Sequence, residues 1–318
     1  MHQRVLGRTG IAVSEIGVGA WQLGGPLILD GKPDGHPDIG EAAAIALIQR
    51  CGDELGIDLV DTAEQYGAGE SERRVGKALA GRRDRWAIST KFGALVGPGG
   101  ERINDPSAAR VPVSLEGSLR RLRTDRVDIY LCHVGPEPRE LDGVAGALAE
   151  LKRAGKVRAV GISTANPEHC RWFLDRGMLD IVQYPRSLLS APDEPVSALV
   201  AASGAGGIVR GAFAGGRLCG KYFDRPPAFA ADDIRGNWFQ GAAADQFRRC
   251  AVFRELVDAR RTMPQLALRW LLDQPATHSI ILGAKRFEEY RDAVGASALP
   301  ALTEAERARV AALRAQAV

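Results

Sequence analysis

Short apolar, β-branched runs alternate with longer amphipathic segments along most of the chain, the pattern of βαβ units around a parallel sheet. Runs at 16–20, 59–61, 86–91, 127–132, 157–162, 181–183, 207–210 and 279–282 are predicted as strands. Helical spacing predicts helices at 41–55, 71–80, 112–122, 140–154, 167–176, 195–202, 264–273 and 287–295. Ser71 followed by acidic residues, and Pro167, Pro195 and Pro264 at first turns, read as helix starts. Strands and helices in equal number predict an α/β fold, a (β/α)8 TIM barrel. Residues 5–13, centred on Arg8-Thr9-Gly10, predict a β-hairpin able to plug the barrel's N-terminal end, and 303–317 an extra amphipathic helix after the last unit. Neither reads as a separate domain, so one domain over 1–318 is expected.

Two stretches, 26–40 and 213–240, are rich in Gly, Pro and Asp and break the pattern. Loops of that length in a compact domain are functional or disordered. Both follow strands, which places them at the C-terminal face where barrels carry their sites.

The chain of 318 residues is 45% hydrophobic and 25% charged, enough apolar material for a large core. Its net charge of +3 is mild, and basic residues alternate with acidic ones, so nucleic acid is not an expected partner. A cleft lined by a few cations would still attract an anionic small molecule. Cys51, Cys132, Cys170, Cys219 and Cys250 are odd in number and scattered, which suits reduced thiols and a cytoplasmic protein. No apolar run approaches the ~20 residues of a membrane helix, and residues 1–10 lack a signal-peptide core, so no membrane association is expected.

The segment from Asp61 to Tyr66 ends a strand in an acid and places a tyrosine in a glycine-bounded loop. Taken alone, it equally suits a turn-capping aspartate and a packed tyrosine. The next strand ends in Lys91 and the one after is followed by His133. A lysine buried at the end of an apolar strand is costly without an anion, and Asp61 on the adjacent strand is its natural partner. Successive strand ends thus offer Asp, Lys and His at one face, with Tyr66 between them.

At these residues the sequence resembles the aldo-keto reductases, over nearly its whole length. The resemblance runs through Thr9-Gly-Ile-Ala-Val-Ser-Glu-Ile-Gly-Val-Gly-Ala-Trp21, Asp61-Thr-Ala, Tyr66-Gly-Ala-Gly-Glu-Ser71-Glu and Thr90-Lys91. It continues in Gly155-Lys-Val-Arg-Ala-Val-Gly-Ile-Ser163, Gly216-Arg-Leu-Cys-Gly-Lys221 and Ile281-Leu-Gly-Ala-Lys285. It implies hydride transfer from NADPH to a carbonyl of an aldehyde, ketone or keto-sugar, with Asp61, Tyr66, Lys91 and His133 as catalytic residues. Tyr66 would give the proton, Lys91 would lower the Tyr66 pKa, Asp61 would keep Lys91 charged, and a neutral His133 would donate to the carbonyl oxygen.

Neither Gly17-Val-Gly19 nor Gly67-Ala-Gly69 continues as a G-x-G-x-x-G opening a helix, so no Rossmann fingerprint is present. The resemblance instead implies a dinucleotide extended across the barrel mouth. It places Gly19, Ala20, Trp21 and Asp61 beside the cofactor, and Ser163, Thr164 and Gln183 at the carboxamide, Thr164 replacing the usual asparagine. Gly211, Phe213, Gly216 and Lys221 would belong to the pyrophosphate loop, and Gly283, Lys285, Arg286 and Glu289 to the adenosine end. Two cations there suit a 2′-phosphate, so NADPH is expected and NADH less so.

Some positions depart from the family pattern. Glu289 and Ala293 replace the frequent Gln and Asn. Arg210 stands where many relatives stack an aromatic ring on the nicotinamide, and its charge would disfavour the oxidised ring. Arg186 replaces a tyrosine three places after Gln183. Together these arginines would alternatively face an acidic or phosphorylated substrate. Trp21, Trp238 and Phe239 would line a pocket or equally pack in the core; a mixed aromatic and arginine pocket would suit a sugar or polyol, while Trp172, on a helix, is expected in the core. A regulatory subunit retaining the cofactor site is the other reading the family offers, and the complete tetrad argues against it. The five histidines form no H-x-H or i, i+4 pair, which argues against a metal-dependent hydrolase and leaves no expected metal.

Overall fold

The apolar runs fold where their periodicity places them. A computed structural model describes residues 1–191, 194–225, 227–239 and 243–317. The chain opens with β1 (Gln3–Val5), β2 (Ala12–Ser14) and β3 (Ile16–Gly19), then a small ribbon, β4 (Ile28–Leu29) and β5 (Lys32–Pro33). Next come α1 (Glu41–Leu55), β6 (Leu59–Asp61), α2 (Glu70–Ala78) and β7 (Ala87–Phe92). A second ribbon, β8 (Ala94–Val96) and β9 (Arg102–Asn104), precedes α3 (Arg110–Leu122), β10 (Val127–Cys132) and α4 (Leu141–Arg153). The alternation continues with β11 (Val157–Ser163), α5 (Pro167–Asp175), β12 (Ile181–Pro185), α6 (Pro195–Ser203) and β13 (Gly206–Arg210). After β13 come α7 (Arg235–Trp238), α8 (Ala243–Arg249), α9 (Met263–Leu272), β14 (Ser279–Leu282), α10 (Phe287–Ala298) and α11 (Glu304–Ala317).

Strands β3, β6, β7 and β10 to β14 form a closed parallel barrel, with β14 pairing back onto β3. Its register aligns Gly19 with Asp61, Asp61 with Ser89, Lys91 with Leu131, and Ser163 with Gln183. Polar strand ends therefore gather at one rim, while apolar residues fill the interior and the wall beneath the helices.

The predicted hairpin forms, β1 pairing antiparallel with β2. Its turn drives Leu6, Ile11 and Val13 into one apolar cluster with Leu59, Ala87, Ile129, Leu131, Ala159, Ile181, Ile208 and Ile281. These are inward-facing barrel residues, so the hairpin closes the N-terminal end. The fit is tight: a Cβ at Gly7 would lie 2.4 Å from the Gly206 nitrogen, and the Gly7 φ of +50° already favours glycine.

Ser71 does not cap α2. The cap position is Gly69, in a left-handed conformation, and Ser71 lies inside the helix with its hydroxyl donating to the Ala20 carbonyl at 2.7 Å. A buried tertiary acceptor on the neighbouring strand end takes the hydroxyl that local sequence would assign to the cap. The proline starts hold for α5, α6 and α9, the last with a full capping box between Thr262 and Gln265.

The long stretches contain β4, β5 and α7, which their turn-rich composition concealed; Pro226 and Gln240 of the second lie outside the described residues. The two stretches clasp each other. Ile234 N donates to Gly35 O at 2.9 Å, Asn237 Nδ2 to Pro33 O at 3.0 Å, and His36 Nδ1 lies 3.5 Å from Asp233. Among the described residues no helix is long and apolar enough to cross a membrane.

Leu6 is fully buried in the plug, so Leu6→Ala leaves a cavity at the barrel floor. It is expected to lower the unfolding free energy by about 2–5 kcal/mol, read from urea denaturation, with the rim chemistry unaffected.

Candidate active site

Adjacent ends of β6, β7 and β10 bring Asp61, Lys91 and His133 to the rim, and the loop after β6 carries Tyr66 to the same place. Lys91 is wholly buried, and each of its ammonium hydrogens has an acceptor: Asp61 Oδ2 at 2.7 Å, Thr62 O at 2.8 Å and Tyr66 Oη at 3.1 Å. Asp61 Oδ1 accepts in turn from Ser89 Oγ at 2.9 Å and Gln183 Nε2 at 2.7 Å. The ion pair is thus buried but fully hydrogen-bonded, the condition under which such burial is tolerable.

An ammonium has no lone pair, so in the Lys91–Tyr66 bond the phenol oxygen accepts. The Tyr66 proton is left to donate elsewhere, and no described residue accepts it. Trp21 stacks on Tyr66 with centroids 5.8 Å apart, and His133 meets the same ring edge-on at 5.7 Å.

Burial pushes the Tyr66 phenol above its ordinary pKa. Lys91 pulls it down, but Asp61 behind Lys91 offsets part of that pull. The net direction is upward, the reverse of the expected lowering, because the desolvation of a phenolate outweighs one neutralised ammonium. Burial also opposes the charge on Lys91, yet Asp61 and Tyr66 together outweigh it and raise that pKa. His133 is held well below its usual range, first by burial and then by Lys91, Arg210 and Arg102, so it is neutral at physiological pH.

Ser163 and Gln183 face each other across β11 and β12, Ser163 Oγ donating to Gln183 Oε1 at 2.9 Å. A second amide hydrogen on Gln183 and the Ser163 lone pairs remain for another amide. Thr164 does not join them: its hydroxyl accepts from Asn166 N at 3.0 Å in the turn that starts α5. Gly19 and Ala20 are buried at the rim; Ala20 N is bonded to Asp61 O at 2.8 Å.

The loop after β13 turns through left-handed glycines, with φ of +70° at Gly211 and +105° at Gly216, and the Phe213 carbonyl accepts from Gly216 N at 2.9 Å. Lys221 from this loop meets Glu289 of α10 at 2.5 Å, and Arg286 meets the same carboxylate at 2.9 Å. Lys285 lies between the clasped loops and this cluster, its Nζ donating to Pro37 O at 3.2 Å, while Gly283 before it is exposed. Two cations therefore meet one acid, with a third, Lys285, close by. Amide-pairing groups at one end and surplus positive charge at the other fit a nicotinamide dinucleotide.

The two departing arginines part company. Arg210 is partly buried beside Tyr66 and makes no side-chain hydrogen bond or ion pair with any described residue; burial lowers its pKa, against the opposing pull of Tyr66 and Asp61. Arg186 does not face the mouth. It donates to Ser197 Oγ of α6, reaches Gln274 Oε1 at 3.5 Å and lies over the Trp270 ring. Side chains alternate along a strand, so with Gln183 pointing inward a residue three places on points outward.

Trp238, 46% exposed, tilts against Trp21 with centroids 5.8 Å apart, whereas Phe239 packs on Phe229 of its own loop and Phe247 of α8. Trp172 packs against the core, as expected. Sequence reasoning passed over Ser89, Thr62, Arg102 and His36. Ser89 alternates with Lys91 on the inward face of β7 and was open to a parity argument. His36 carried no signal, since only the fold sets it edge-on to Trp21 at 5.1 Å.

The model of the Aldo/keto reductase family matches residues 15–315. The chain is 31% identical over 327 residues to the NADH-specific methylglyoxal reductase of Escherichia coli, covering 93% of each. It superposes on an aldo-keto reductase from Bacillus halodurans in its holo form with a TM-score of 0.81, 29% identity and coverage of 98% of this chain and 96% of that one. For the glycerol dehydrogenase of Gluconobacter oxydans the TM-score is 0.82, with 28% identity and coverage of 99% and 96%.

Removing either partner of the Asp61–Lys91 pair leaves a buried charge alone. Lys91→Met is expected to destabilise the fold by about 3–5 kcal/mol in urea denaturation. The double variant Asp61→Asn/Lys91→Met should lose clearly less than the sum of the single losses, and additive losses would mean that the pair is not coupled.

Proposed function

The chain belongs to the aldo/keto reductase family of nicotinamide-dependent oxidoreductases, and from that premise we propose that it is an NADPH-dependent carbonyl reductase in which Tyr66 is the proton donor. The observation that carries this reading is the Tyr66 hydroxyl, which accepts from Lys91 and has its own proton uncommitted beside a neutral His133. The cofactor supplies the hydride. Tyr66 gives its proton to the oxygen on which negative charge develops, and the phenolate left behind lies against the Lys91 ammonium. Asp61 holds that ammonium in place through Oδ2, at 2.7 Å. His133 donates a hydrogen bond to the same carbonyl oxygen and orients it.

Trp21 and Trp238 shelter the site from water and offer flat apolar faces. They suit a small aldehyde, ketone or keto-sugar. A methylglyoxal reductase and a glycerol dehydrogenase among the similar proteins support a substrate of that size.

For the cofactor, Lys221, Lys285 and Arg286 favour a 2′-phosphate, while Glu289 competes for two of them. Calorimetric titration with NADPH, NADP+ and NADH tests this. NADPH should bind more tightly than NADH, and more tightly than NADP+ because of Arg210. Arg286→Ala should weaken NADPH, and Glu289→Gln should strengthen it, each by roughly tenfold and with little change for NADH. Equal effects on both reduced cofactors would remove the 2′-phosphate assignment. No binding of any nicotinamide would leave the fold in a regulatory role.

Tyr66→Phe is expected to lower kcat for carbonyl reduction by roughly 10²–10⁴ with cofactor affinity retained. Because burial raises the Tyr66 pKa, reduction should hold its rate up to the ordinary tyrosine range near pH 10 and fall only above it, while alcohol oxidation, which needs the phenolate, rises with pH. The neutral His133 should add no limb near its usual pKa of about 6.5. A pH–rate profile checks both.

A further inference from the structure

Outside the barrel wall, two arginines converge on Trp270 of α9. The guanidinium carbon of Arg186 lies 5.5 Å from the ring centre and that of Arg314, on α11, lies 5.2 Å from it. Arg186 is only 6% exposed; its fork reaches Ser197 and Gln274, but its buried Nε has no acceptor. Arg314 is partly buried, makes no hydrogen bond or ion pair with any described residue, and its Nε is likewise buried without an acceptor.

The chain treats comparably buried arginines differently. Arg74, Arg261 and Arg269 each meet a carboxylate, from Asp38, Glu306 and Asp273 respectively. Around Trp270 no described acid plays that part. Glu194, at the start of α6, spends its carboxylate on Val196 N and Ser197 N at 3.1 and 2.8 Å. Like charges brought together in a desolvated place repel, and the aromatic face compensates each only in part. A guanidinium with unused donors in a fixed plane matches the oxygens of a phosphate or carboxylate.

We propose that Arg186 and Arg314, arranged around Trp270, form a binding site for a small oxyanion of the phosphate type, separate from the dinucleotide's own phosphate contacts. The site lies next to the catalytic strand ends: Arg186 N donates to Arg210 O at 3.1 Å, and Gln183, on the same strand, holds Asp61. An occupant there is placed to bias the nicotinamide end of the barrel.

The test is calorimetric titration of inorganic phosphate, at fixed ionic strength, into the full chain saturated with NADP+, which fills the cofactor's phosphate contacts. Saturable binding is expected to survive NADP+ and to weaken at least tenfold in Arg314→Met, a partly exposed position, with the circular dichroism spectrum unchanged. Arg186→Gln should weaken it to a similar degree. Glycerol 3-phosphate titrated in the same way separates the sources: tighter binding than inorganic phosphate assigns the site to a phosphate monoester, equal binding to free phosphate. If NADP+ abolishes phosphate binding, if Arg314→Met leaves it unchanged, or if no saturable binding occurs, the site does not exist. Should the chain not bind NADP+, the same titration of the protein alone, wild type against Arg314→Met, decides by the same tenfold criterion.

Discussion

An ammonium buried at the end of an apolar strand has to be met by a carboxylate, and Lys91 meets Asp61 at 2.7 Å. The rest of the rim is arranged around that requirement. Ser89 and Gln183 occupy the second Asp61 oxygen, Thr62 O takes one Lys91 hydrogen, and Tyr66 takes the last. Because Gln183 is tied to Asp61 and Ser163 to Gln183, the Ser163–Gln183 pair and Tyr66 share one network. A change to the ion pair is therefore felt at both.

The electrostatic outcome differs from the simplest expectation. A cation beside a phenol should favour the phenolate, but here the cation is already neutralised from behind and the phenol is desolvated. Tyr66 is accordingly kept protonated and His133 kept uncharged. The same contrast between paired and unpaired charge runs through the molecule. Among the described residues no carboxylate pairs with Arg210 at the rim or Arg314 on the outer layer, whereas Glu289 at the start of α10 meets two cations.

The barrel divides stability from chemistry between its two ends. The hairpin drives Leu6, Ile11 and Val13 into the floor, against the inward apolar residues of the strands. The long stretches clasp across the rim through Gly35, Pro33 and His36, and carry Trp238 against Trp21. Their ribbon and short helix escaped a reading by periodicity because elements of two to four residues hold too few positions to show a period.

Periodicity and strand ends by themselves determined the barrel, its plug, its last helix and the meeting of Asp61, Lys91 and His133, because each follows from local alternation plus the rule that parallel strands end on one face. Tertiary structure alone decided which way the exceptions point. Ser71 left its cap for the Ala20 carbonyl and Thr164 turned back on Asn166. It also set the balance of burial against charge at Tyr66. These outcomes depend on what lies across space from each group, and desolvation and partner distance have no counterpart in the order of residues along the chain.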